Sequence, residues 1–299
     1  MKNSLMESIF FSNYFYGICA VALSIEATLQ QGFPLNSLLY FGLIFIITVL
    51  YYSYPYTRKS KPGKNPLTNW YTRNFAVMRW HQWIFSAILL LATVLFAIGY
   101  GRQVANISLL QWMLILIFPL AGASYYGVNS CFGRYNIRKI GWLKPMIIGF
   151  TWAGLVTVYP VLFYIIINEQ DHPFTWIGIL LFLKNFMFIT VLCVMFDIKD
   201  YASDYLYSLK TFVVRLGLRK TIFGLLLPLS ILGLVLFIWY AGTHHFHIVR
   251  IVLNIIPFLL LAGVAYSLRK RRSLLYYMSV VDGVMLAKTI CGIIAIKFF

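Results

Sequence analysis

Nine apolar runs, each close to the length that crosses a lipid bilayer, occupy most of this chain and leave it few folds to adopt. They cover approximately residues 9–29, 37–54, 84–100, 109–126, 146–167, 176–197, 221–241, 248–268 and 279–298, and a helix needs about 20 residues to span the hydrocarbon core. Inside lipid every backbone amide must be satisfied within its own helix or in a closed barrel, so runs of this length predict helices. The expected fold class is all-α: a polytopic membrane protein of about nine transmembrane helices, with residues 1–299 as a single transmembrane domain. Composition agrees, because 61% hydrophobic and 11% charged residues exclude an ordinary soluble domain. The opening MKNSLMESIF has no basic n-region and no small-residue cleavage site, so the first run reads as a retained helix.

A formal charge of +17 would suit nucleic acid, but its placement points to topology instead. Arg58, Lys59, Lys61, Lys64, Arg73 and Arg79 follow the second run, and Arg134, Arg138, Lys139 and Lys144 follow the fourth. Lys199, Lys210, Arg215, Arg219 and Lys220 follow the sixth, and Arg269, Lys270, Arg271 and Arg272 follow the eighth. The opposing loops hold only Arg102 and Arg250, with Lys297 near the C-terminal end. The positive-inside rule makes the basic loops cytoplasmic. The expected localisation is thus a bacterial inner membrane, with the N-terminus cytoplasmic, the C-terminus outside, a lipid bilayer as partner and no nucleic acid. Cys19, Cys131, Cys193 and Cys291 form no CxxC pair and read as reduced, buried small hydrophobes.

The chemistry concentrates in residues 190–220, TVLCVMFDIKDYASDYLYSLKTFVVRLGLRK. Asp197, Asp200 and Asp204 stand at i, i+3 and i+7, within roughly 60° on one helical face. Like charges this close repel unless a cation is shared among them, and a hard, oxygen-seeking ion such as Mg²⁺ suits such a set. The segment after the fourth run, YYGVNSCFGRYNIRKIGWLKP, carries four cations and no anion, which suits an anionic ligand as well as topology. Together the two segments suit a Mg²⁺-diphosphate site.

With these residues in view the chain resembles the UbiA superfamily of intramembrane prenyltransferases over most of its length. Asp200 and Asp204 match the second aspartate-rich motif DxxxD of that family, and Asp197 adds its longer DxxDxxxD form. Lys210 with Thr211 matches the Lys-Thr/Ser step, Leu216 with Gly217 the later Leu-Gly, and Tyr135 with Lys139 the YxxxK motif, with Pro145 downstream. The resemblance implies a UbiA-like helical bundle that transfers a polyprenyl group from a prenyl diphosphate donor to a lipophilic or aromatic acceptor, with Mg²⁺ as cofactor. It implies metal ligation by Asp197, Asp200 and Asp204, catalysis through Asp200 and Asp204, and diphosphate binding by Arg134, Tyr135, Arg138, Lys139 and Lys210. The first aspartate-rich motif of the family is missing: no Asp or Glu lies between Glu26 and Glu169, and its place is held by YYSYPYTRKSK. Arg58, Lys59 or Lys61 would then neutralise phosphate directly, or the chain would bind an isoprenoid diphosphate without transferring it.

Other polar residues carry weaker signals. Tyr51, Tyr52, Tyr54 and Tyr56 read first as an interfacial aromatic belt, and residues 69–83 as an amphipathic interfacial helix. Lys184 lies in the sixth run about 20 Å from Asp197, with Glu26 as its expected partner. Asp282 sits about one turn into the last helix, either near the acidic face or in a structural ion pair. His244, His245 and His247 form a short tract without other ligand types. Inverted repeats and broken midmembrane helices, the marks of many transporters, are not evident.

Overall fold

The structure, a computed structural model, describes residues 2–56, 65–126, 141–170, 175–206, 209–243 and 246–298. Among these residues the chain is all-helical. In order come α1 (Lys2–Phe11), α2 (Tyr14–Gln30), α3 (Leu38–Ser53), α4 (Pro66–Arg73), α5 (Phe75–Gly99), α6 (Gly101–Ala105) and α7 (Leu109–Tyr126). A π turn at Gly154–Val158 joins α8 (Leu143–Ala153) to α9 (Tyr159–Ile167), and α10 (Trp176–Leu206) follows. After α11 (Phe212–Leu216), a π turn at Thr221–Leu226 joins α12 (Leu218–Lys220) to α13 (Leu227–Thr243). Next is α14 (Ile248–Ser267), and a third π turn, Tyr277–Val281, joins α15 (Leu274–Tyr276) to α16 (Gly283–Phe298).

Seven helical stretches are long and apolar enough to cross a membrane, from Leu38–Tyr56 through Leu274–Phe298, and they mark the chain as an integral membrane protein. The count differs from the nine runs because two of them make shorter helices. The first run is broken at Asn13, whose left-handed backbone (φ 65) separates α1 from the 17-residue α2. The fourth forms the 18-residue α7, which carries Pro119 inside. The third helix also starts earlier than hydropathy suggests: Asn74 ends α4, and the 25-residue α5 begins at Phe75. The short helix with mixed polar and aromatic faces is therefore confined to Pro66–Arg73.

The core gathers around α2 and α10, where Cys19, Leu23 and Met195 meet Val156, Leu226 and Val281 from the three π turns. Small residues let backbones approach where side chains would hold them apart. A Cβ on Gly149 of α8 would collide with Thr190 Oγ1 and the Phe186 carbonyl of α10, and one on Gly292 of α16 would collide with the Glu26 carboxylate of α2. By contrast α5 stands at the rim of the bundle, with Met78 its only buried residue.

The half of the bundle remote from the aspartates holds a buried polar chain. Glu26 is 1% exposed, and its Oε2 accepts a hydrogen bond from Lys288 Nζ at 2.6 Å while its Oε1 accepts one from Gln30 at 2.9 Å. Lys184 donates to Gln30 Oε1 at 3.2 Å. The partner expected for Lys184 is thus corrected: Lys288, which approaches Glu26 from the parallel α16, takes the carboxylate, and Lys184 reaches it only through an amide.

Candidate functional site

The acidic end of α10 is built by an apolar helix that runs past its neighbours. Between Phe188 and Ile198 the helix sets one face into the core, and past Ile198 the Asp200 side chain is exposed while Asp204 is buried again. The three aspartates share one helix end but have different surroundings. Asp197 is fully buried, and its Oδ1 accepts a hydrogen bond from Lys144 Nζ of α8 at 2.9 Å. Its Oδ2 is buried with no hydrogen-bond partner among the described residues. Asp200 has a side chain 41% exposed, and Lys199 pairs with it at 3.2 Å. Asp204 is 8% exposed, and its carbonyl accepts the Leu209 amide at 2.8 Å, which folds the chain back as the helix ends.

Among the described residues no three His, Cys, Asp or Glu side chains close into a metal cage. The physical reason is the inward pull of Lys144 on Asp197, which separates that carboxylate from the outward-facing Asp200. The donor chemistry nevertheless fits a hard cation, since Asp197 Oδ2 lacks a partner and Mg²⁺ commonly takes one or two carboxylates and completes its shell with water and substrate phosphate. Lys144 was legible in the sequence only as one more loop cation. Its position directly before Pro145, at the start of a membrane helix, was the signal that it sits at the depth of Asp197.

Cations surround this end. Arg272 lies 4.8 Å from the Tyr276 ring centroid, and the neighbouring Tyr277 is close enough to feel the charges of both Asp200 and Arg272. Lys210 is exposed just past the helix end. The residues that follow it hold the local backbone: Thr211 caps α11 by accepting the Val214 amide at 3.3 Å, and Gly217 adopts φ 78, a conformation that favours glycine. Arg134, Tyr135, Arg138 and Lys139 lie outside the described residues, as do Arg58, Lys59, Lys61, His244 and His245. A Cβ on Gly141 would stand 2.5 Å from the Thr211 amide nitrogen, so the entrance to α8 rests against the Lys210–Thr211 backbone.

The segment at the end of α3 turns inward, which corrects the aromatic-belt reading for most of its tyrosines. Tyr51 donates to the Gly122 carbonyl at 3.0 Å. The Tyr52 hydroxyl accepts a hydrogen bond from Trp152 Nε1 at 2.8 Å, and its ring stacks on Tyr16 at 4.5 Å. Ser53 meets Tyr71 at 3.3 Å, while Asn13 donates to that same Tyr71 hydroxyl at 2.9 Å. Burial holds the Tyr71 hydroxyl well above the usual phenol range. Tyr56 stacks on Tyr71 at 4.2 Å, and Tyr54, 60% exposed, is the one that faces outward as a belt residue would.

Asp282 is the site residue that spacing alone could not place. The π turn before it carries its amide to the Tyr277 carbonyl at 3.2 Å and directs its carboxylate toward the Tyr16 hydroxyl of α2. It is 4% exposed and makes no ion pair with Lys288 of its own helix, which is committed to Glu26. The Cys193 thiol of α10 feels the charges of both Asp197 and Asp282, so the two acids border one region of the bundle.

Comparison of the chain with family models, with curated proteins and with solved structures found no match.

Proposed function

We propose that this chain is an intramembrane prenyltransferase of the UbiA kind, which transfers a polyprenyl group from its diphosphate to a lipophilic or aromatic acceptor. The observation that carries the reading is the run of Asp197, Asp200 and Asp204 at one end of α10, with the buried Asp197 held by Lys144 and Asp200 open to the outside, next to a core that includes aromatic rings. Asp200 and Asp204, with Asp197 as a further carboxylate of the same helix end, would hold Mg²⁺, which would supply charge neutralisation for the departing diphosphate. Lys210 and the segment holding Arg134, Tyr135, Arg138 and Lys139 would bind the remaining phosphate oxygens. Lys144 holds Asp197 in place and puts a fixed positive charge at the membrane depth where the leaving group departs. Tyr16, Tyr52 and Trp152 offer π faces that favour an allylic cation. The basic loops facing the cytoplasm would set this end at the inner surface of a bacterial plasma membrane.

A second reading, a UbiA-like protein that binds an isoprenoid diphosphate without transferring it, is favoured by the end of α3. Where the family carries its first set of carboxylates, Tyr52 and Ser53 are engaged in hydrogen bonds inside the bundle. The deciding experiment measures binding of a non-hydrolysable prenyl diphosphate analogue with and without Mg²⁺, and turnover against a panel of acceptors. Binding that needs both Mg²⁺ and Asp204, with turnover lost in Asp200→Ala and Asp204→Ala, supports the transferase. Binding without turnover supports the second reading, and binding indifferent to metal and to Asp204 removes both.

A further inference from the structure

The turn between α14 and α15, residues 268–273, reads LRKRRS and sets four consecutive cations, Arg269, Lys270, Arg271 and Arg272, at the end of a membrane helix. All four are exposed, and no carboxylate pairs with any of them among the described residues. The two outer arginines are nevertheless held in place. Arg269 Nε donates to the Tyr266 carbonyl at 3.2 Å, and its guanidinium lies 3.4 Å from the centroid of the Tyr266 ring. Arg272 Nε donates to the Ser267 carbonyl at 3.3 Å, and its guanidinium lies 4.8 Å from the Tyr276 ring, whose hydroxyl is 2.6 Å from Ser267 Oγ. With Nε spent on the backbone, the Nη atoms of both arginines have no hydrogen-bond partner among the described residues. An arginine braced in this way offers its outer donors to a phosphate oxygen pair with little side-chain freedom left to lose. Topology asks only for cations at this end of the bundle, and leaves this bracing unexplained.

Below these charges the surface is apolar. α13 and the π turn before it run antiparallel to α14, with Phe237 stacked on Phe258 and the Phe223 ring edge-on to Tyr266 at 6.4 Å. Phe223 and Tyr266 are both exposed, and Gly224 and Gly263 have open space where a Cβ would stand. Arg219 and Lys220, also exposed and without an ion pair among the described residues, sit about one turn before Phe223. Both groups of cations therefore lie beyond the Phe223–Tyr266 contact at the same end of the two segments. A basic rim over an exposed apolar surface matches a molecule with an anionic head and acyl chains.

We propose that this corner binds an anionic phospholipid whose headgroup carries two phosphates, one on Arg269 and one on Arg272, with its acyl chains lying over Phe223 and the Gly263 side of α14. Four adjacent cations exceed what a single phosphate neutralises, and the two braced arginines stand at either end of the four. A soluble phosphate would use the cations and leave the apolar surface uncovered. None of these residues holds the metal or the diphosphate in the proposed transfer reaction, so lipid binding is independent of it.

The test is native mass spectrometry of the full chain released from dodecyl maltoside and titrated with cardiolipin, which has two phosphates, or with phosphatidylglycerol, which has one. Cardiolipin should bind about tenfold tighter or better, because its second phosphate binds as a tethered one. Arg269→Gln combined with Arg272→Gln should weaken cardiolipin about thirtyfold, at about a factor of five per cation. Arg73→Gln combined with Arg79→Gln removes equal charge from α4 and α5 and should leave cardiolipin binding unchanged. Gly263→Leu keeps every cation, fills the open surface, and should also weaken cardiolipin. Equal affinity for the two lipids, or equal losses in the two double variants, would overturn the assignment. Displacement of cardiolipin by inorganic pyrophosphate at comparable concentration would give the cations to a soluble diphosphate instead. A lipid-free dimer that the Arg269 and Arg272 replacements abolish would give the surface to a second copy of the chain.

Discussion

Replacing Lys288 by Met strips the buried Glu26 of the one cation that pairs with it directly among the described residues, and the structure indicates how much that costs. The pair is 2.6 Å apart, with side chains 7% and 2% exposed, so neither charge can turn to water when its partner is lost. Removing one member of such a pair typically costs about 3–5 kcal/mol, because the survivor is left charged in a low dielectric, whereas removing both is often nearly neutral. At about 1.4 kcal/mol per decade, the lower bound is already more than a hundredfold in the folding equilibrium. Gln30 still donates to Glu26 in the variant, which argues for the lower end. The assay is unfolding in mixed micelles at increasing denaturing detergent, followed by the fluorescence of the eight tryptophans. Lys288→Met and Glu26→Gln should each lose about 3 kcal/mol, and the double variant should recover most of that loss. Single variants that cost under about 1 kcal/mol, or a double variant whose loss is the sum of the two, would refute the reasoning.

Three further outcomes follow from the geometry. Gly141→Ala should cost about 1–3 kcal/mol in the same assay, because its Cβ meets Thr211 backbone that cannot rotate away; an unchanged midpoint would show that the two segments are not in contact. Asn13→Ala should destabilise more than Asn13→Gly by about 1 kcal/mol, since both lose the 2.9 Å hydrogen bond to Tyr71 but only alanine is strained at φ 65; equal losses would remove the backbone argument. In a chain freed of its four native cysteines, Arg73→Cys should resist an impermeant maleimide added to intact cells and Asn106→Cys should react; the reverse pattern would invert the orientation.

The helices were readable from sequence where hydrophobic length decides them, because a run of about 20 apolar residues has no alternative in a bilayer. Their interruptions were less readable. Hydropathy passes smoothly over Asn13, and the break there comes from a side chain that turns inward to reach Tyr71 and Ser53 on other helices. Aromatic and basic residues disguised the first turns of α5, which belong to the same continuous helix as its apolar body. The aspartate face of α10 was plain from spacing, while Lys144 was not, because its role depends on how deep α8 begins. The pairing of Glu26 with Lys288, 262 positions apart, depends on which faces of α2 and α16 meet, and a single sequence does not encode that facing in any local pattern. Tyr52 and Tyr16 were hidden for the same reason: a tyrosine near a helix end reads alike whether it faces lipid or core.

The π turn at Tyr277–Val281 gives the last helix a joint as well as a shape. It holds one residue more per turn than the α-helix around it, so tightening it into an α turn would rotate everything beyond by about 100°. Asp282 is the first residue past that joint, on the same continuous stretch as Lys288. Because Lys288 is held by Glu26, Asp282 and α16 stay in place, and a small change in winding would instead swing α15 on the other side of the joint. The clamp and the joint divide the last helical stretch into an anchored part, α16, and a part that can swivel, α15.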